Sequence, residues 1–516
     1  MLTLGDICSK HARLSGNSEA LVFGTTRITY AQLHARSNRL AHALLAQGLA
    51  KGDRIAILSE NSHRFVECYF GAAKAGLVAT PLNFRLTERE LLHMLRDSEA
   101  SAMFVGEGFE SVAASLKAQL PQLKIWIGLD TEIEGALAYE SLLSASSAAE
   151  VSVEVGENDL AVLVYTGGTT GLPKGVMLSH RNLLSAFISA NILFKFSARD
   201  ITLMALPLFH VAFWQVFCHL IAGACVVILR RPEMGLILRT LESERCTNMN
   251  AVPTLYTWMI DDPALKAHDL SSLGLMIYSG SPMPEEVLRK CIAKFGPIFA
   301  QGYGLTEAAP AVCFLAPQDH ELDGPRSRLL KSAGREMTLT EVRIADAAGN
   351  AVPIGTPGEL LARGPNIMLG YWKNEALTRE RLQNGWLRTG DIGVMDDQGY
   401  VFLLDRKADM IVTGGENVYP SEVENVIFSH PAVFECIVSS APDARWGERV
   451  QAAVVLKPGA AASAADLIEF CKQKLAGYKC PKHVEFWEQL PKSAVGKLLR
   501  KDVKSVFWQG HSRSIN

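Results

Sequence analysis

Residues 166–175 read Thr-Gly-Gly-Thr-Thr-Gly-Leu-Pro-Lys-Gly. Gly167, Gly168 and Gly171 let the backbone take unusual dihedrals and approach a ligand closely. Thr166, Thr169 and Thr170 add hydroxyls and Lys174 adds a cation, a combination suited to cradling a polyphosphate. The loop lacks the Gly-Lys-Ser/Thr ending of a Walker loop. Far along the chain, residues 491–501 (Pro-Lys-Ser-Ala-Val-Gly-Lys-Leu-Leu-Arg-Lys) deliver isolated lysines near the C-terminus, Lys497 among them. A phosphate cradle and a late cation together point to a nucleotide reaction completed by a mobile lid.

Three further stretches carry chemistry. Residues 301–307, Gln-Gly-Tyr-Gly-Leu-Thr-Glu, place an aromatic, a hydroxyl and a carboxylate within a short span, suited to stacking on a base, touching a phosphate and holding a hard cation. Asp391, between glycines in Thr-Gly-Asp-Ile-Gly, offers an exposed carboxylate that can accept two hydrogen bonds from a ribose diol, although Asp in such a setting is also a routine turn former. Residues 413–417, Thr-Gly-Gly-Glu-Asn, read as a tight turn whose missing side chains leave room for a slender chain to pass the backbone. Each has a plain structural alternative when taken alone: a surface turn, a core aromatic, a helix-start carboxylate. Their co-occurrence is what favours function.

These side chains need a scaffold of several layers. At 516 residues the chain exceeds what one hydrophobic core organises, so at least two domains are expected. Residues 29–130 alternate helical patterns (30–47, 64–75) with short apolar strands (54–58, 102–105), which predicts a parallel, helix-covered sheet. The rhythm resumes at 160–165, 225–229 and 275–279. After the last of these comes Ser-Gly-Ser-Pro-Met-Pro, with Gly280, Ser281 and Pro282 where strand carboxyl ends present ligands in open α/β sheets. From about residue 335 the pattern changes to β-rich pieces (341–344, 358–362, 399–404), and after Asp405 to a helix at 421–428, a strand at 450–456 and a helix at 464–474. The fold class expected is α/β: a large N-terminal domain of helix-covered sheets over 1–404, with a β-rich subdomain at about 335–404, plus a small mobile α+β domain over 405–516.

Apolar residues make up 48%, charged residues 20%, and the net charge is −3, so nothing in the global charge calls for nucleic acid or an anionic membrane. The ten cysteines form no Cys-x-x-Cys pair, which favours reduced thiols and a cytoplasmic setting. The start, Met-Leu-Thr-Leu-Gly-Asp, has no signal-peptide pattern. The longest apolar run, 216–229, is interrupted by His219 and is too short to span a bilayer, so it reads as a buried helix followed by a strand.

From about Ile28 to Lys501 the chain resembles the adenylate-forming superfamily of acyl-CoA synthetases, amino-acid adenylation domains and luciferases. The resemblance rests on residues 166–176, 301–310, 385–393, 405–424 and 491–497, in that order. It implies an ATP-dependent acyl-CoA synthetase, an AMP-forming acid–thiol ligase that converts a fatty or aromatic carboxylic acid to an acyl-adenylate and passes it to coenzyme A, with Mg²⁺ as cofactor. The alternatives are a ligase that loads a carrier-protein thiol, a luciferase-like oxidation, and a relative that binds nucleotide without turnover. By the same resemblance Tyr303, after Gly302, lies against adenine, Thr306 contacts the α-phosphate, and Glu307 holds Mg²⁺ with Thr166. Asp391 and its companion Arg406 hold the ribose, the loop with Gly280, Ser281 and Pro282 forms the other adenine wall, Lys497 acts in catalysis, and Gly414 and Gly415 line the pantetheine tunnel. A homodimer is compatible with this reading.

Two departures stand out. Ala408 occupies the pivot between domains where many relatives have Asp or Lys. In Pro-Leu-Phe-His-Val-Ala-Phe-Trp (207–214), His210 stands where amino-acid-activating members place an Asp, which disfavours an amino-acid substrate and leaves His210 a gating or pocket role. Phe213 and Trp214 are expected to narrow the acyl pocket.

Overall fold

The computed structural model describes residues 2–166, 173–210, 212–281, 283–406, 409–413, 416–443, 445–492 and 498–509. The expectations placed on Gly167, Gly168, Thr169, Thr170, Gly171, Pro282, Ala408, Gly414, Gly415 and Lys497 lie outside those residues.

Two large sheets make up the N-terminal domain. The eight-stranded one runs in the order Gly370–Tyr371, Lys174–Ser179, Leu160–Thr166, Val78–Pro81, Arg54–Leu58, Ala100–Val105, Ile125–Gly128, Leu137–Ala138. The nine-stranded one runs Arg335–Glu336, Cys313–Leu315, Phe299–Tyr303, Leu275–Ser279, Asn248–Ala251, Ile201–Met204, Cys225–Ile228, Glu19–Phe23, Thr26–Thr29. Helices Tyr30–Ala46, His63–Ala75, His180–Phe194 and Phe213–Ala222 share one core with both sheets, in which Ile55 and Val162 of the first and Val226 and Ile277 of the second are buried with Phe65, Phe187 and Phe217. Each such side chain contributes roughly 1.5–3 kcal/mol by leaving water.

The helices start where the sequence supplies caps. Thr29 accepts from the Gln32 amide at the start of Tyr30–Ala46, and Ser179 accepts from the Asn182 amide at the start of His180–Phe194, each with a reciprocal side-chain bond. Helix Tyr30–Ala46 crosses His63–Ala75 closely enough that a Cβ on Gly71 would sit 2.6 Å from Leu40 Cδ2.

The helix-strand alternation over 29–130 gives the parallel pairing expected there, Arg54–Leu58 beside Val78–Pro81 and Ala100–Val105, and Ala100–Val105 beside Ile125–Gly128; the eight-stranded sheet becomes mixed only farther along the chain. Leu160–Thr166 and Lys174–Ser179 pair antiparallel, Thr166 opposite Lys174. Only seven residues separate them, too few for the crossover a parallel pair needs. Lys174 therefore sits on a strand, not in a loop.

A third sheet orders Glu341–Ala345, Gly358–Arg363, Trp386–Met395 and Leu382–Gln383, with Val401–Arg406 paired to Trp386–Met395. The small C-terminal domain is a fourth sheet: Glu416–Val418, Ile411–Thr413, Gly447–Leu456 and Val433–Asp443, with His483–Phe486 added in parallel to Gly447–Leu456. Helices Pro420–Phe428 and Ala464–Lys472 bury Val423, Ile427 and Leu467 against it, and Arg500–Phe507 buries Val503 on a second cluster with Ile437 and Ala453.

All ten cysteines are unpaired, and burial raises the thiol pKa of Cys8, to about 11, and of Cys225 and Cys246, to about 12. No helix among the described residues is long and apolar enough to cross a membrane.

Candidate active site

Backbone crowding shapes the turn after strand Phe299–Tyr303. A Cβ on Gly304 would sit 1.6 Å from the Pro310 carbonyl oxygen, so only glycine fits, and a Cβ on Gly302 would meet the Phe314 ring at 2.9 Å. The turn is closed by the Val312 amide donating to Tyr303 O at 2.9 Å. The fully buried Asn366 side chain pins it by donating to Ala308 O and Ala311 O at 3.1 and 2.9 Å.

Tyr303 emerges from this frame with its hydroxyl donating to Asp391 Oδ2 at 2.5 Å. Burial, reinforced by the adjacent carboxylate, pushes the phenol pKa well above its usual value and keeps it a donor. Arg406 Nε lies 3.3 Å from Asp391 Oδ1, and Asp391 and Arg406 face each other in the register of their strands. The two residues expected to act together are thus adjacent.

The expected exposure of Asp391 is not. Its side chain is only 12% exposed, because Asp391 lies within strand Trp386–Met395 rather than in a turn, and both carboxylate oxygens are engaged. Gly390 takes a positive φ, and the Asp391 amide donates to Thr389 Oγ1 at 3.1 Å, which aims the carboxylate at Tyr303. Asp391→Asn keeps the shape and removes the charge. Its expected effect is about a tenfold rise in KM for ATP with little change in thermal midpoint, read from steady-state kinetics and a melting curve. An unchanged KM would remove Asp391 from nucleotide binding.

Thr306 and Glu307 follow on a short 3₁₀ turn, Thr306–Ala308, with Thr306 buried. Glu307 Oε1 accepts from the Tyr371 hydroxyl at 2.7 Å, and its backbone oxygen accepts from the Met368 amide at 2.9 Å. The Leu369 amide donates to Met177 O, and the Trp372 amide to Gly175 O. Segment 368–372 thereby bridges Glu307 to strand Lys174–Ser179, which carries Lys174 opposite Thr166. Sequence reasoning missed Tyr371 and Asn366. The Gly-Tyr-Trp run at 370–372 gave only a faint hint of the first, and a single Asn gives none of the second.

The third wall starts at Ser279, opposite Gly302 in the neighbouring strand, so the 280–281 turn and Tyr303 leave the sheet side by side. Gly280 has φ +83, and Ser279 Oγ donates to Asn250 Oδ1 at 3.1 Å.

His210 is exposed, its ring centroid 6.4 Å from that of Phe209. The two neighbours expected to narrow the pocket are both buried in one core, against different partners. Phe213 is fully buried against Tyr69 and Phe217, part of the core rather than a pocket wall, because it opens helix Phe213–Ala222 on the face turned to helix His63–Ala75. Trp214 instead stacks on Phe314 at 5.8 Å, and Phe314 is the ring that covers Gly302.

Two profiles match the chain: the AMP-binding enzyme family over residues 8–372, and the AMP-binding enzyme C-terminal domain over 422–497. A feruloyl-CoA synthase of Amycolatopsis sp is 38% identical over 507 residues, covering 98% of this chain and 99% of that protein. A fatty acid–[acyl-carrier-protein] ligase, ScoC of Streptomyces coeruleorubidus, is 36% identical over 519 residues, covering 100% and 98%. The crystal structure of ATP-bound MatB from Rhodopseudomonas palustris superposes with a TM-score of 0.88 at 30% identity, covering 98% of this chain and 100% of the other. With Tyr303, Asp391 and Arg406 assembled across two sheets, and with both profiles in sequence, the chain belongs to the AMP-binding enzyme family.

Proposed function

We propose that the protein is an AMP-forming acyl-CoA synthetase that joins an aromatic carboxylic acid to coenzyme A through an acyl-adenylate. The observation that carries this reading is the Tyr303–Asp391–Arg406 cluster, which draws an aromatic, a carboxylate and a cation from segments far apart in sequence to the end of the nine-stranded sheet. In the first step a carboxylate oxygen attacks the α-phosphorus of ATP and pyrophosphate leaves. In the second the CoA thiol attacks the acyl carbon and AMP leaves. Tyr303 and Gly280 with Ser281 would flank the adenine, Asp391 with Arg406 would hold the ribose, and Thr306 would touch the α-phosphate. Thr166 and Lys174, at the base of the glycine-threonine loop, would hold the outer phosphates, and Lys497 would offset charge where the two anions meet.

Glu307 fits a Mg²⁺ role: Tyr371 occupies one carboxylate oxygen and leaves the other as a hard donor, and Mg²⁺ keeps few protein ligands beside phosphates and water. The ion would neutralise phosphate charge. Thr166 would be its second protein contact.

Trp214 and Phe314 support an aromatic acid. Their stacked rings lie behind Gly302, and the buried Trp214 Nε1 has no acceptor among the described residues, so a ring oxygen on a bound acid would satisfy it. The 38% identity to a feruloyl-CoA synthase supports the same class. His210 would border the mouth of this pocket, and Gly414 and Gly415 would pass the pantetheine arm.

Acyl-CoA formation with MgATP and CoA, followed by chromatography over oxygen-bearing aromatic, unsubstituted aromatic and fatty acids, tests the reading. Thioester from oxygen-bearing aromatic acids at the highest kcat/KM is expected. Preference for long aliphatic acids would overturn the substrate class, and transfer to a carrier-protein thiol with none to free CoA would favour the activity named for the Streptomyces relative.

A further inference from the structure

Residues 407–410 connect the third sheet to the fourth, and the ends they join meet on one side chain. Arg500 opens helix Arg500–Phe507, two positions beyond Leu498, which pairs with Lys492, and the Leu499 amide donates to Pro491 O at 2.8 Å. Its Nη1 lies 3.2 Å from Asp405 Oδ1 and 3.1 Å from Asp409 Oδ2. Its Nη2 lies 2.8 and 2.7 Å from the two oxygens of Glu424.

The three carboxylates belong to different bodies. Glu424 sits on helix Pro420–Phe428 and accepts the Val438 amide at 2.7 Å, so it moves with the C-terminal domain, as Arg500 does. Asp405 sits on strand Val401–Arg406 and moves with the third sheet. Its side chain is only 4% exposed, and its second oxygen accepts the Ser421 amide at 2.8 Å, while Ser421 Oγ donates to Leu404 O. The Arg500–Asp405 pair and the two Ser421 bonds thus span the connection, whereas Arg500–Glu424 does not.

The electrostatics make this site sensitive to rearrangement. One guanidinium faces three carboxylates. Burial raises the pKa of both Asp405 and Glu424, with Arg500 the main group opposing it in each case. A movement of the C-terminal domain that carries Arg500 and Ser421 away from the third sheet takes from Asp405 its cation and the Ser421 amide, while Glu424 keeps the cation.

We propose that Arg500 is a positioning residue that, through Asp405, holds the C-terminal domain in the arrangement seen here, and thereby sets the ratio of the two half-reactions. This rests on the two-step reaction proposed above. Its physical core, a charged clasp across residues 407–410, does not.

The test uses the full-length protein and two variants. Asp405→Asn keeps the volume, removes the charge from the Arg500 pair and alters the acceptor of the Ser421 amide, both of which cross the connection, while leaving Arg500–Glu424 in place. Arg500→Lys keeps the charge and loses the fork, and it avoids leaving buried carboxylates uncompensated, as Arg500→Met would. Acid-dependent pyrophosphate release and thioester formation from supplied acyl-adenylate are measured separately, together with the rate of tryptic cleavage at Arg406 and Lys407. In Asp405→Asn the ratio of the half-reaction rates and the cleavage rate are each expected to change by about fivefold or more, the population shift that one lost charge-assisted hydrogen bond permits, with Arg500→Lys moving both in the same direction. Equal scaling of both half-reactions with faster cleavage would reduce the clasp to a structural element and overturn the proposal. Unchanged cleavage would overturn the clasp itself. If the wild type activated no acid, the reaction reading would fail, and the cleavage comparison would still decide the clasp.

Discussion

Replacing Lys497 with alanine is expected to slow acyl-adenylate formation by about 10²- to 10³-fold, the loss that follows removal of one preorganised group stabilising developing charge. Two anions, a carboxylate and an α-phosphate, must come within bonding distance, and their repulsion is greatest when water is excluded. An ammonium between them lowers the barrier in a way that ground-state binding does not, so the loss should appear in kcat with little change in KM for ATP. Of the described residues that flank Lys497 in sequence, Lys492 pairs with Leu498, and Lys492 Nζ lies 2.6 Å from Glu435. Thioester formation from supplied acyl-adenylate should stay within a few-fold of wild type, because the second step needs no cation between those anions. Stopped-flow release of pyrophosphate and single-turnover thioester formation separate the two. Intact adenylation in Lys497→Ala would remove the residue from the chemistry, and equal loss of both steps would contradict a two-arrangement cycle.

Gly304→Ala carries the largest structural effect. A methyl group there would overlap the Pro310 carbonyl oxygen, with Ala311 Cα 3.0 Å away. These neighbours are backbone, held by Asn366 and by the Val312–Tyr303 bond, so no side chain can swing aside. The clash displaces Tyr303 on one side and Thr306 and Glu307 on the other. A loss of roughly 4 kcal/mol or more in stability, or failure to accumulate as folded protein, is expected together with loss of ATP binding. Gly477→Ala is the control: a Cβ there meets nothing within 4 Å, and a change within about 0.5 kcal/mol is expected. Differential scanning calorimetry with and without ATP reads both. A Gly304→Ala protein that melts and binds nucleotide like wild type would show that the 304–310 contact does not hold the site.

Much of the scaffold was legible because local periodicity and burial agree. Strand Arg54–Leu58 and helix Tyr30–Ala46 follow from apolar spacing and the Thr29 cap, and the pairing of Asp391 with Arg406 from their place in a recognised motif order. What stayed hidden depends on distant chain. The antiparallel turn of Lys174–Ser179 is a matter of loop length, which an alternating helix-strand pattern masks. The burial of Asp391 comes from Tyr303, 88 residues earlier, and a Gly-flanked Asp looks the same whether it lies in a turn or at a bulge in a strand. Phe213 and Trp214 are adjacent and chemically alike, yet a helical step of about 100° turns one to Tyr69 and Phe217 and the other to Phe314 within the same core. The clasp on Arg500 joins residues 405, 409, 424 and 500, and no short-range pattern relates them.

The most direct test of the account is isotope exchange between pyrophosphate and ATP in the absence of CoA. The account predicts exchange that requires Mg²⁺ and an aromatic carboxylic acid, is absent without the acid, and falls to near background in Lys497→Ala. Exchange that proceeds equally with and without a carboxylic acid, or none with any acid while nucleotide still binds, would contradict it.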